Sequence, residues 1–146
     1  MPDELTPSVK ENLEPQIRLL RILCILTFVG SGGGLFSYGF IGINPEWFYD
    51  SASKGMNQEM LDLLKLIISP GRTFLLVMAA LHAFSFIGAL LMWRLRKLGF
   101  HLYSFSQILI LITPLLFIRG FPTAGINVIL TLLFIVAYAR FLKMMH

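Results

Sequence analysis

Residues 72–93, RTFLLVMAALHAFSFIGALLMW, decide the fold. Between Arg72 and Arg94 the one acid or base is His82. A helix rising about 1.5 Å per residue crosses the ~30 Å hydrocarbon core in roughly 20 residues. It also satisfies every backbone polar group within the segment, as lipid demands. The stretch therefore reads as a membrane span. Three others share its construction: Arg21 to Glu46, Lys97 to Arg119 and Arg119 to Arg140 hold no acid or base between their ends except His101. The predicted architecture is an all-α membrane protein, one domain over residues 1–146, with four transmembrane helices near 19–43, 72–93, 99–118 and 122–142.

Composition agrees. The chain has 146 residues, 56% hydrophobic and only 14% charged, with a mean hydropathy of +0.75. Soluble domains carry roughly 25% charged residues. A disordered chain and a disulfide scaffold are excluded, and Cys24, the single cysteine, lies in an apolar run and reads as packing. The net charge of +4 does not point to nucleic acid, because the positive excess can be assigned to one face of a bilayer.

That assignment sets the orientation. Four spans place both ends on one side with the 94–98 loop, a side that collects Lys10, Arg18, Arg21, Arg94, Arg96, Lys97, Arg140 and Lys143. The other side has Lys54, Lys65, Arg72 and Arg119, while the acids divide evenly (Asp3, Glu4, Glu11 and Glu14 against Glu46, Asp50, Glu59 and Asp62). The positive-inside rule then predicts cytoplasmic termini. Trp47, Phe48, Tyr49 and Trp93 stand at span ends, where amphipathic rings favour the headgroup level. The first span is too long for a signal peptide, lacks a small-residue cleavage site, and is read as retained.

Outside the membrane, residues 1–14 read as a mobile polar tail, with Pro15 in the first turn of span one. In the outer loop, 44–71, Met56, Met60, Leu63, Leu64 and Ile67 fall on one helical face, opposite Gln58, Asp62 and Lys65. This predicts a short amphipathic helix that lies on the membrane surface, caps the bundle or docks a partner. Glu46 and Asp50 read as part of a solvated turn. The loops 94–98 and 119–122 are short, so spans two, three and four should run as an antiparallel meander.

Each span carries a small or polar stripe: Thr27, Gly30, Gly34 and Ser37 in the first; Met78, His82, Ser85 and Ala89 in the second; Tyr103, Ser106, Gln107, Thr113 and Pro114 in the third; Asn127, Thr131 and Tyr138 in the fourth. Such residues turn away from lipid and towards one another. Gly30 and Gly34 form a GxxxG pair suited to close helix packing. Counting depth from the span ends pairs Ser85 with Gln107 and Thr113 with Asn127, and Pro114 should kink span three, with Thr113 satisfying freed carbonyls. The candidate intramembrane polar cluster is His82, Ser85, Gln107, Thr113, Asn127 and Thr131, which serves either as interhelical glue or as the lining of a cavity or pathway.

His82 lies near mid-membrane, where an ionisable residue is a functional hypothesis by default, although a neutral imidazole bonded to Gln107, Ser85 or another helix also fits. No membrane carboxylate is present to build a proton relay with it. His101 lies near the inner boundary, about 13 Å away along the axis, so the two cannot ligate one haem within a chain; a pair of His82 residues across a homodimer is the remaining arrangement. No catalytic group, metal set or cofactor is expected: there is no phosphate loop, zinc helix or nucleophile elbow.

Among known four-span families, small multidrug transporters need a glutamate in their first span, glutathione-transferase-like membrane enzymes an Arg/Asn/Glu motif in their second, and quinone-coupled thiol oxidases paired cysteines; none is found here. The arginine pattern of small fluoride channels does not map onto Gly30–Phe40. Over its whole length the chain resembles the uncharacterised small four-span proteins of bacterial inner membranes, which implies that location and transfers no functional residue. The leading expectation is a non-catalytic subunit or accessory protein of a larger inner-membrane complex, with the lipid bilayer and other membrane subunits as partners and no nucleic acid. The alternatives are a homo-oligomeric carrier or channel and, more distantly, a lipid- or quinone-linked enzyme using His82.

Overall fold

The structure is a computed structural model that describes residues 7–118 and 125–146, with side chains from Glu14 onward. Its described secondary structure is entirely helical: α1 (Pro7–Ile43), α2 (Pro45–Ser53), α3 (Gln58–Ile68), α4 (Arg72–Trp93), α5 (Lys97–Phe117), α6 (Gly125–Ala139) and a 3-10 turn at Leu142–Met144. Four segments are long and apolar enough to cross a membrane: Glu14–Ile43 within α1, α4, α5, and Gly125–Met144 comprising α6 and its continuation. This is an all-α membrane protein with four spans.

Span two matches its expected range residue for residue. Span one belongs to a longer helix that begins at Pro7, so Pro15 lies inside the helix rather than in its first turn. The carbonyl that Pro15 leaves without a donor falls outside the apolar run, where water can satisfy it. The fourth span begins at Gly125; the expected start at 122 and the loop at 119–122 lie outside the described residues.

Helix α4 is the centre of the bundle, packed along its length against α1 on one side and α5 on the other. Small residues permit this. A Cβ placed on Gly99 would lie 2.5 Å from the Gly88 carbonyl oxygen, and one on Gly88 would lie 2.8 Å from the Tyr103 nitrogen, so neither position has room for a side chain. The α4–α5 turn is a Schellman closure: Arg96 N donates to Leu91 O (2.9 Å) and Leu95 N to Met92 O (2.9 Å). Glycine usually occupies the left-handed position of this motif; here it is Leu95, at φ 58°. Leu95 is held by packing against the neighbouring core, and its carbonyl accepts from His146 N at 2.8 Å.

Buried apolar residues form two separate clusters. One, near the α4–α5 turn, joins Leu20 and Cys24 of α1, Ala89 and Met92 of α4, Tyr103 of α5, Tyr138 of α6, and Phe141 and Met145 beyond it. The other, near the opposite face of the membrane, joins Phe74, Leu75 and Met78 of α4 to Ile118. Helix α6 contributes Tyr138 alone to the buried set among its 15 residues and touches α1 and α5 only sparingly.

The 44–71 segment holds two helices, not one. Asn44 Oδ1 accepts from Trp47 N at 3.2 Å and Pro45 occupies the first turn, so Glu46 and Asp50 sit on a capped helix instead of in a turn. Helix α3 is capped in the same way by Asn57, whose Oδ1 accepts from Met60 N at 2.9 Å. Its apolar face is divided. Leu64 is buried and Ile67, with Leu66, packs against the Phe74 cluster, whereas Met60 and Leu63 are exposed. The helix thus caps one end of the bundle. Across the α2–α3 hairpin Lys65 Nζ lies 5.9 Å from the Tyr49 ring centroid and 3.6 Å from Asp62. Contact with the Tyr49 hydroxyl, and then Asp62, raises the Lys65 ammonium above the ordinary lysine value.

Candidate functional site

The space between the two clusters is a cavity of about 500 Å³ at mid-membrane. Each span contributes polar side chains to its lining: Thr27, Ser31 and Tyr38 from α1, His82 from α4, Tyr103 and Gln107 from α5, and Asn127 and Thr131 from α6. Apolar residues, among them Leu26, Met78, Ile110, Leu130 and Phe134, fill the intervals.

A short hydrogen-bonded chain ties three spans together beside this space. Gln107 Nε2 donates to Ser85 Oγ at 3.0 Å, and Ser85 Oγ meets Ser31 Oγ at 2.8 Å. Ser85 is fully buried, so these partners replace the water it would otherwise need. A second bond joins the first and fourth spans: Thr27 Oγ1 and Tyr138 Oη lie 2.7 Å apart, while the Tyr103 and Tyr138 rings meet edge-on with centroids 5.0 Å apart. This cluster forms the floor of the cavity. Below it, Arg21 lies over the Trp93 ring at 5.7 Å, joining α1 to α4 where the spans leave the apolar layer.

His82 is not hydrogen-bonded to Ser85 or Gln107 among the described residues; those two bond to each other, and Ser85 also to Ser31. His82 stacks instead on Tyr38, ring centroids 5.5 Å apart and planes 16° from parallel. Gly34 fits against the face of the imidazole, where a Cβ would fall 2.5 Å from both Nδ1 and Cε1 and 2.7 Å from Cγ. Nδ1 is buried and has no hydrogen-bond partner among the described residues.

The structure therefore brings together His82, Gln107, Asn127 and Thr131 around one cavity, with Ser85 directly behind them. Thr113 is not part of this set. Its hydroxyl donates to Leu109 O at 2.7 Å, so it neither pairs with Asn127 nor reaches the Ile110 carbonyl that Pro114 leaves without a donor. The GxxxG pair divides in the same way: Gly34 makes a close approach, to His82, whereas a Cβ on Gly30 would meet nothing within 4 Å. Ser37 is exposed, and Ser31 takes the inward position.

Three elements of the site escaped the sequence reading. Ser31 lies four residues after Thr27, so the spacing was present, but the glycines of 30–34 left the register of the inward face open. Tyr38 was not singled out because an aromatic residue near a span end is ambiguous between an interfacial anchor and a packing partner. The Gly88–Gly99 approach joins two helices, and no spacing within one chain segment encodes it.

Chemically the cavity offers hydrogen bonds without charge. No carboxylate, ammonium or guanidinium group lines it among the described residues, and those residues contain no group of three or more His, Cys, Asp or Glu that could hold a metal ion. No protein-family model matches the chain, and neither a curated protein nor a solved structure is significantly similar to it.

Proposed function

We propose that this chain is a non-catalytic subunit or accessory protein of a larger assembly in a bacterial inner membrane, with both termini in the cytoplasm. The observation that carries this reading is the state of the fourth span, whose 15 helical residues bury Tyr138 alone against the rest of the chain. Association of spans in lipid is driven by van der Waals packing and interhelical hydrogen bonds. A span with so little internal packing keeps most of its contact surface for a neighbour. The membrane-embedded polar groups support the same reading, since their hydroxyls and the Gln107 amide mostly bond to one another or to their own helix. Gentle purification from native membranes tests it. The chain is expected to migrate with other membrane proteins, well above the size of a monomer or small homo-oligomer; migration alone at that small size defeats the proposal.

A second reading is favoured by the cavity, which gathers His82, Gln107, Asn127 and Thr131 on one lining. In this reading the chain is a homo-oligomeric carrier or channel for a small solute. Flux through reconstituted liposomes should then fall sharply in His82→Ala and Asn127→Leu, and unchanged flux in both removes its basis.

A further inference from the structure

We infer that the mid-membrane cavity is a binding site for a neutral amphiphile of the lipid phase, whose head group carries a carbonyl or hydroxyl and whose tail is hydrocarbon. The inference is independent of whether the chain works alone or within an assembly. Three observations carry it.

The first is the opening. Leu26 and Gly30 on α1 and Leu130 on α6 line the cavity and are exposed, so the space is not closed off between these two helices. Helices α1 and α6 meet at Thr27 and Tyr138 and touch little elsewhere. The gap between them faces the acyl chains, so a ligand enters sideways from lipid.

The second is the chemistry of the lining. It is largely apolar, with hydroxyl, amide and imidazole groups and no charged side chain among the described residues. A charged head group would lose its hydration there without a counter-ion, at a cost of several kcal/mol or more by general estimates for buried ions. A neutral head can exchange water for hydrogen bonds to the protein. At about 500 Å³ the space falls within the general range of about 300–1,000 Å³ for small-molecule pockets.

The third is His82. Gly34 lies against one face of its ring, and Nδ1 is buried with no partner among the described residues. A proton on that enclosed nitrogen would be a buried donor with no acceptor. The proton of the neutral ring therefore sits on Nε2, which leaves a donor for the carbonyl or hydroxyl oxygen of the ligand's head. Stacking on Tyr38 fixes the ring plane.

The test reconstitutes the full chain in phosphatidylcholine vesicles with trace amounts of three photoreactive diazirine probes. These are a diacylglycerol, with a hydroxyl and ester head; a prenylated benzoquinone, with a carbonyl head; and a phosphatidic acid of the same chain length. At least one neutral probe is expected to label residues 26–31 or 128–134, in competition with its unlabelled form, while phosphatidic acid labels only the outer surface of the bundle. Labelling by the benzoquinone alone assigns a carbonyl head group, and labelling by the diacylglycerol alone assigns one that includes a hydroxyl. Gly30→Phe places a ring where a Cβ meets nothing within 4 Å, and it should cut cavity labelling at least about tenfold, equivalent to about 1.4 kcal/mol. Thr131→Phe, from the facing wall, should act alike. Gly33→Phe, equally unobstructed but outside the lining, should leave labelling within about twofold, or roughly 0.4 kcal/mol. Equal cavity labelling by phosphatidic acid, no cavity labelling by either neutral probe, or the same response to Gly30→Phe and Gly33→Phe overturns the inference.

Discussion

Gln107 donates to the Ser85 hydroxyl, a side-chain hydrogen bond between the third span and the second at mid-membrane. Ser85 meets Ser31 of the first span as well, so one buried hydroxyl is the junction of three helices. Ser85→Ala removes both bonds while changing little volume. Interhelical hydrogen bonds in membranes average about 0.6 kcal/mol, so the variant should lose about 1 kcal/mol in a reversible detergent-unfolding titration. A double-mutant cycle of Ser85→Ala with Gln107→Leu should return a coupling near 0.6 kcal/mol. Zero coupling would mean that the contact does not hold the spans together.

The Gly88–Gly99 approach makes a larger demand. A methyl group at Gly99 would lie against the Gly88 carbonyl, which is backbone and cannot step aside. Gly99→Ala should destabilise the bundle by about 1–3 kcal/mol, the usual cost of overpacking. Gly30→Ala, at an unobstructed helical position, should be neutral or stabilising by up to about 1 kcal/mol. Equal effects of the two variants on the unfolding midpoint would contradict this packing.

Tyr138 is the one residue of α6 buried in the bundle. Tyr138→Phe keeps the ring in the core and loses only the bond to Thr27, a change of about 1 kcal/mol. Tyr138→Ala empties the site and should cost about 3–5 kcal/mol by analogy with other large aromatic truncations. Limited proteolysis should then cut near residues 119–124 much faster in Tyr138→Ala than in Tyr138→Phe. Indistinguishable cleavage would show that other contacts hold α6.

The α2–α3 hairpin has its own local determinants. Asn44→Ala and Asn57→Ala each remove a side-chain acceptor from a helix start and should weaken the corresponding helix by about 1 kcal/mol. Amide exchange should accelerate within α2 or α3 respectively, with α4 unaffected. Acceleration spreading through α4 would mean that the hairpin and the bundle open together.

The sequence was legible where its physics is one-dimensional. The second span was exact because the boundary arginines and the lipid thickness fix it without reference to other helices. The first span was placed correctly in the membrane but continues to Pro7, since hydropathy reports the embedded length and not the helix length. Ser85 with Gln107 followed from depth counting because the two helices are joined by a short turn, which fixes their relative height. The same counting failed for Thr113 and Asn127, because a hydroxyl beside a helical carbonyl has a local acceptor already in reach. The depth of His82 is legible in the sequence but its setting is not: the stack on Tyr38 and the fit to Gly34 depend on how α1 is rotated, and a run of glycines leaves that rotation unspecified.

The polar edges of the spans turn inward around a shared mid-membrane space. Nitroxide scanning of α4, residues 76–92, in a Cys24→Ala background measures this directly through collision with dissolved oxygen. Accessibility should oscillate with the helical period, with minima at Met78, Ser85, Ala89 and Met92, reduced values at His82, and maxima at Leu76, Ala80, Phe84, Ile87 and Leu90. Maxima at His82 and Ser85, or no oscillation along the helix, would contradict it.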